Sequence, residues 1–332
     1  MKAFKILTID GGGIKGLYSS KILEHFESRY KCNISDYFDL LCGTSTGGLI
    51  ALALSLKIPT TEISKIYSEN GSKIFPKKNT TLKRIKQVFG GIYSDKPIKK
   101  VLEELFGTYK IKDSNNLLCI PSYNITTSQP RVFKYDHSID LSTDNELSYV
   151  EVALATSAAP TFLPMAEIKS LNNNQFIDGG VWANNPTLVG YLEALKYFVG
   201  EGKKYDCIEI LSISSLNIPK GKPTGMKRRR GFWSWKGDLF DTSLIGQSFF
   251  NDFFMQTIKN HTNIPTKYYR IKNPDISSEQ SKYIDMDLTT KKSIEVLKTL
   301  GDNTGSMLKN DKEIADFFKN KKTYIPKIYG EL

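Results

Sequence analysis

The pentapeptide Gly43-Thr44-Ser45-Thr46-Gly47 fits G-x-S-x-G, a pattern whose small residues let the chain turn sharply from strand to helix and leave the serine hydroxyl exposed. Ser45 is the candidate nucleophile, suited to acyl transfer through a covalent serine ester. A serine needs a base, and the chain has only three histidines, His25, His137 and His261. The order Ser45, Asp178, His261 formally matches an α/β-hydrolase triad. That fold, however, needs several strands ahead of its nucleophile, so a surface or packing role suits each histidine better. Asp178 follows a short strand-like run and precedes Gly179 and Gly180, which would leave its carboxylate at a strand end with backbone free to approach. With an ordinary pKa of ~3.9 an aspartate is a poor base at neutral pH, so Asp178 must lie against Ser45 and be partly desolvated. Standing alone it would read as a turn aspartate.

Gly11-Gly12-Gly13 supplies backbone N–H groups near a helix start with no side chains in the way, and such groups can hold an oxyanion. The same loop, with Gly16, satisfies G-x-G-x-x-G after a strand, the dinucleotide-binding fingerprint. A Rossmann domain would end its second strand in a ribose-binding acid, whereas here the second strand runs into the Ser45 turn. A transient oxyanion is therefore favoured over a pyrophosphate.

These groups need elements to hold them. Residues 4–9 read as a strand and 14–30 as a helix; 38–42 reads as a second strand and 49–56 as an apolar helix closed by Pro59, repeating the strand, tight turn and helix unit. A basic, partly helical stretch over 77–112 looks like an inserted cap. Residues 148–159 are helix-forming, 175–177 strand-like, Pro186 opens a helix to 198, and 208–214 is a further core strand. The result is an α/β fold with mainly parallel topology. After Pro219 the composition turns basic, with Arg228, Arg229 and Arg230 beside Trp233 and Trp235. That segment reads as an exposed loop or docking segment, with cations facing phosphates and indoles at headgroup level.

With 332 residues, 40% hydrophobic and 24% charged, the chain can bury a large core, which sets disorder aside. Cys32, Cys42, Cys119 and Cys207 form no CxxC pair and read as reduced packing residues, neither a disulfide framework nor a zinc site. Lys5 and Asp10 interrupt the first apolar stretch, so no export signal is read. The apolar run at 49–56 falls far short of the ~20 residues that cross a bilayer. A cytoplasmic protein with peripheral membrane contact is expected. The net charge of +11 attracts anionic surfaces: phospholipid, nucleic acid or a phosphorylated small molecule.

Taken together, Asp10-Gly11-Gly12-Gly13-Ile14-Lys15-Gly16, Gly43-Thr44-Ser45-Thr46-Gly47 and Asp178-Gly179-Gly180 closely resemble the patatin-like phospholipases. Ala155-Thr156-Ser157-Ala158-Ala159-Pro160 and Val181-Trp182-Ala183-Asn184-Asn185-Pro186 resemble further blocks of that family. The resemblance implies a three-layer α/β/α core over 4–215 and a calcium-independent lipid acyl-hydrolase with no cofactor. It also implies a Ser45/Asp178 dyad and an oxyanion hole at Gly11, Gly12 and Gly13, with Gly16, Gly43, Gly47, Gly179 and Gly180 as motif support. The basic region 216–332 would complete or regulate the same domain. Two alternatives stay open. One is a lipase effector switched on by a small nucleotide; the other is a non-catalytic nucleotide or nucleic-acid binding protein, which would bind in a salt-sensitive way without hydrolysis.

Overall fold

The computed structural model describes residues 1–76, 91–219, 221, 223–229 and 232–326, apart from the side chains of 232–234 and 236–240. Arg230, the Trp233 side chain and 77–90 of the expected cap lie outside the described residues.

The chain opens with β1 (Ala3–Ile9), the glycine loop and α1 (Gly16–Tyr30), then β2 (Leu40–Gly43), α2 (Thr46–Ser55) and α3 (Thr60–Ile74). From the cap stretch, α4 (Lys96–Phe106) is described. It is followed by β3 (Leu117–Asn124), β4 (Gln129–Lys134), α5 (Tyr149–Ser157), β5 (Ala166–Ile168) and β6 (Asn174–Asp178). Next come α6 (Gly180–Ala183), α7 (Thr187–Tyr197), β7 (Cys207–Ile213) and the long α8 (Phe232–Ile258). The chain then forms β8 (Thr266–Ile271), α9 (Ser278–Ser281), α10 (Lys291–Leu308) and α11 (Lys312–Phe317). Side-chain caps start several helices as their sequences dictate: Ser148 and Glu151 form a reciprocal capping box on α5, and Thr290 and Asp311 cap α10 and α11.

One sheet of eight strands runs through the molecule. Its centre is parallel: β1 lies between β2 and β7, β8 adds beyond β7, and β3 pairs with β2. Ile6, Leu7, Ile9, Leu40, Leu41, Ile210 and Leu211 are fully enclosed, as expected where helices cover both faces of a parallel sheet. Helices α1, α2, α3 and α10 pack on one face and α7 and α8 on the other, making three α/β/α layers. The region after 215 is part of this arrangement, since it supplies the edge strand β8, and α10 lies against α1.

One departure from parallel pairing places the chemistry. Strand β3 pairs in parallel with β2 up to Cys119↔Cys42, then antiparallel with β6 from Ser122↔Asp178 onward. β4 lines its other edge. β2 and β6 therefore follow one another along the same side of β3 and run head to head, so the turn after Gly43 and the end of β6 at Asp178 face each other.

The expected loop around Arg228 to Trp235 needs correction. Trp233 and Trp235 belong to the first turns of the 27-residue α8. On its inner side Leu244, Ser248, Asn251 and Met255 are buried at helical spacing. Over 241–258 its exposed positions carry Phe249, Phe250 and Phe253 among uncharged polar residues, so the charged face that marks a surface amphipathic helix is missing from the sequence. Arg228 and Arg229 precede the helix and are exposed.

Candidate active site

Ser45 sits between β2 and α2 with φ 54 and ψ −123, a strained conformation for a residue with a side chain. The glycines on either side allow it. A methyl on Gly43 would strike the Gly47 carbonyl, and one on Gly47 would strike the carbonyl of Ile9. The turn is held by Gly47 N–H to the Thr44 carbonyl at 2.8 Å and by the Ser45 N–H to Thr156 Oγ1 at 2.9 Å, while Thr156 itself donates to the Pro121 carbonyl at 2.6 Å. Thr156, at the end of α5, thus ties the backbone of Ser45 to β3. The start of α2 points its N-terminal dipole at the same place, which favours negative charge there.

Ser45 and Asp178 line the same cavity, with the Ser45 hydroxyl near enough to the Asp178 carboxylate to favour its charged form. Asp178 is 4% exposed, and its Oδ1 also accepts the Gly180 N–H at 2.7 Å. Burial pushes the Asp178 carboxyl up to about 6, with the Ser45 hydroxyl and Gly180 amide pulling the other way. Desolvation thus supplies what an aspartate needs to act as a base near neutrality. Gly179 packs its Cα against the Pro121 carbonyl, and Gly16 lies against Thr46 and Tyr67, where each contact leaves no room for a side chain.

The glycine loop divides its amides. Gly11 N–H donates to the Asn184 carbonyl at 2.9 Å, so it is engaged in holding the loop to α6. Gly12 and Gly13 line the cavity beside Ser45. Gly13 adopts φ 59 with the Met286 carbonyl against its Cα, and that carbonyl also accepts the Ile14 N–H at 2.9 Å. At the base of the loop the fully buried Asp10 is gripped by Arg270 of β8 through Nη1 at 3.1 Å and Nη2 at 2.6 Å.

The space in front of Ser45 is an apolar cavity of about 70 Å³ walled by Leu49, Ile74, Ile98, Phe162, Leu244 and Met286. Leu244 belongs to α8, whose Gln247 accepts the Asn184 N–H at 2.7 Å and whose Ser248 and Asn251 bond Asn184 and Asn185. None of the histidines lines this cavity. His25 pairs with Asp302, His137 with Glu193, and His261 sits exposed in the turn after α8. Among the described residues, no group of three or more His, Cys, Asp or Glu could hold a metal ion, and no helix is long and apolar enough to cross a membrane.

Arg270, Leu244, Met286 and Thr156 were not singled out in the sequence. Thr156 could have been, because it stands in the block before Ala158, whose carbonyl accepts the Asp178 N–H at 3.0 Å. The other three lie beyond residue 215, in stretches with no motif.

The patatin-like phospholipase family model matches residues 7–191. A cGAMP-activated phospholipase of Pseudomonas aeruginosa is 31% identical over 90% of this chain and 86% of its own length. Its namesake in Vibrio cholerae is 28% identical over 95% and 94%. A patatin-like protein 1 of Arabidopsis thaliana is 30% identical over 90% and 80%. With the Ser45 turn, the Asp178 strand end and the glycine loop converging as they do, and with relatives that span nearly the whole chain, this protein belongs to the patatin-like phospholipases and is a lipid ester hydrolase.

Proposed function

We propose that the chain hydrolyses acyl esters of membrane phospholipids with Ser45 as nucleophile and Asp178 as its base. The observation that carries this reading is that Ser45 and the buried Asp178 carboxylate stand together on the wall of one apolar cavity, where burial raises that carboxyl to about 6. Asp178 accepts the Ser45 proton as Oγ attacks the ester carbonyl, and the N–H groups of Gly12 and Gly13 hold the oxyanion. Collapse expels the lipid alcohol, which takes the proton from Asp178, and leaves acyl-Ser45. Asp178 then takes a proton from water as that water attacks the acyl carbonyl, and returns it to Ser45 Oγ as the Ser45–acyl bond breaks and the fatty acid departs. Two side chains and water balance both steps.

The test is fatty-acid release from mixed phospholipid vesicles in the presence of EDTA, for wild type, Ser45→Ala and Asp178→Asn. Release by the wild type that both folded variants lose supports the dyad. Undiminished release by either variant overturns it.

Membrane contact is the finer part of the reading. Phe249, Phe250 and Phe253 of α8 are 58%, 59% and 69% exposed, on the same helix that supplies Leu244 to the cavity wall. The exposed basic residues Lys227, Arg228 and Arg229 lead into this helix. Aromatic rings next to cations suit the surface of an anionic bilayer.

A second reading, that a small anionic molecule switches the enzyme on, is favoured by the size of the cavity. About 70 Å³ is well below the roughly 300–1,000 Å³ of sites that enclose a small-molecule ligand. An acyl chain therefore needs Leu244 or Met286 to move. Relatives named for activation by cGAMP make a cyclic dinucleotide the first candidate. Constant release with and without cGAMP would set this reading aside.

A further inference from the structure

A second recess lies beside the catalytic cavity, between α4, α5 and the segment leading into β5. It measures about 350 Å³, within the range of spaces that hold small ligands, roughly 300–1,000 Å³. Its lining is mixed: Val150, Leu154 and Met165 supply apolar surface, and Asp95, Lys99, Glu151, Glu167 and Lys169 supply charge. Ile98, Ser157 and Leu163 line both this recess and the catalytic cavity. The two spaces are therefore neighbours divided by one thin wall.

Ser157 is the polar member of that wall. It is 7% exposed, and its hydroxyl has no hydrogen-bond partner among the described residues. Buried hydroxyls are paired in the great majority of cases, and one without a partner calls for an explanation. Ser157 directly follows Thr156, whose hydroxyl holds the Ser45 amide, so its backbone lies one residue from the nucleophile's own anchor. A polar group in this place can serve a carbonyl close to the one under attack.

We propose that the recess seats the second acyl chain of a two-chain phospholipid, and that the Ser157 hydroxyl donates to the ester carbonyl of that chain. This rests on the phospholipase reading above. The two esters of a diacyl glycerophospholipid stand on adjacent glycerol carbons. With one carbonyl at Ser45, the other falls in the wall between the spaces and its hydrocarbon tail runs along Val150, Leu154 and Met165 in the recess. The partner is identified by continuity: whatever fills the recess shares three wall residues with the scissile ester, which fits one molecule better than two.

The experiment compares kcat/KM for a diacyl phosphatidylcholine and for the lysophosphatidylcholine of the same chain length, both in detergent micelles. Ser157→Ala removes the donor. Met165→Trp narrows the recess from a half-exposed position outside the catalytic cavity, where enlargement leaves the core alone. The expected result is a fall of about tenfold in the diacyl to monoacyl preference for each variant, the size of one lost hydrogen bond or of several lost apolar contacts. Preferences equal to wild type in both variants, or equal losses on both lipids, would overturn the proposal. A wild type that, both with and without cGAMP, hydrolyses neither lipid, nor a simple soluble ester, would instead count against the phospholipase reading on which it rests.

Discussion

Arg270 on β8 holds both carboxylate oxygens of Asp10, the residue that follows β1 and begins the glycine loop, although the two are 260 positions apart. The guanidinium also donates to Ser212 Oγ on β7 at 2.7 Å, so one side chain fixes the ends of adjacent strands under the catalytic loop. Removing one partner of a buried pair leaves an uncompensated charge and costs about 3–5 kcal/mol. Arg270→Met is therefore expected to lower the urea midpoint strongly. The double variant Asp10→Asn, Arg270→Met should recover part of that stability without recovering the rate, because the loop stays unanchored. A single variant as stable as wild type would show that the pair does not hold the loop.

The acid side of the pH profile should belong to Asp178. The base works only when ionised, and burial holds its carboxyl up at about 6. For a water-soluble ester, kcat/KM is expected to rise tenfold per pH unit below that value and level off above it. An acid limb centred near ~4, where an unperturbed aspartate titrates, would mean that Asp178 is solvated when it acts.

The same shift has a stability consequence of definite sign. A carboxyl whose folded pKa lies above its unfolded value binds its proton more tightly when folded. Its contribution to stability is therefore complete below about pH 4 and is lost as pH rises through about 6. Above that, the wild type carries a buried charge on the order of 3 kcal/mol dearer than the protonated form. Asp178→Asn is thus expected to abolish hydrolysis and raise the melting temperature at neutral pH, with the gain shrinking as pH falls toward 4. A variant destabilised to the same degree at every pH would show that the altered contacts with Ser45 and the Gly180 amide outweigh the relieved charge.

The glycine loop, as the proposed oxyanion hole, gives a sharper test of which amides act. Gly13 has positive φ and the Met286 carbonyl against its Cα, so Gly13→Ala must displace the loop or the segment before α10. A misplaced oxyanion donor typically costs roughly a hundredfold or more in kcat. That loss, with KM for a soluble ester little changed, is the expected outcome. Gly13→Ala with wild-type kcat would remove the loop from the mechanism.

What could be read in the sequence was local. The Ser45 turn and the glycine loop each sit between a strand and the helix that follows it, and glycines at fixed spacing announce the close approaches that Gly43 and Gly47 make. Asp178 could be paired with Ser45 only through motif order; the physical reason is the register along β3, from Cys119↔Cys42 to Ser122↔Asp178, which no local pattern reveals. Arg270 and Met286 reach the loop from the far end of the chain through β8 and the segment after α9, in stretches of ordinary composition. α8 was hidden for another reason: over 241–258 its outward face mixes phenylalanines with uncharged polar residues, so the charged stripe that usually marks a surface helix is absent.

That face supplies the last expected outcome. Along 241–258 no exposed residue of α8 is charged, in a chain where 24% of residues are. Phe249, Phe250 and Phe253 project from it at i, i+1 and i+4, close enough to enter one surface together. Withdrawing most of a phenylalanine from water contributes roughly 1.5–3 kcal/mol. Replacing all three by serine should therefore reduce binding to anionic vesicles by at least about a hundredfold, with little dependence on salt. Arg228→Ala with Arg229→Ala should weaken binding less, by about 1 kcal/mol per charge, and chiefly at low ionic strength. Hydrolysis of a soluble ester reads the dyad separately in each variant. Vesicle binding untouched by the three serines, together with a concentration-dependent dimer that they abolish, would assign the face to a second copy of the chain instead of the bilayer.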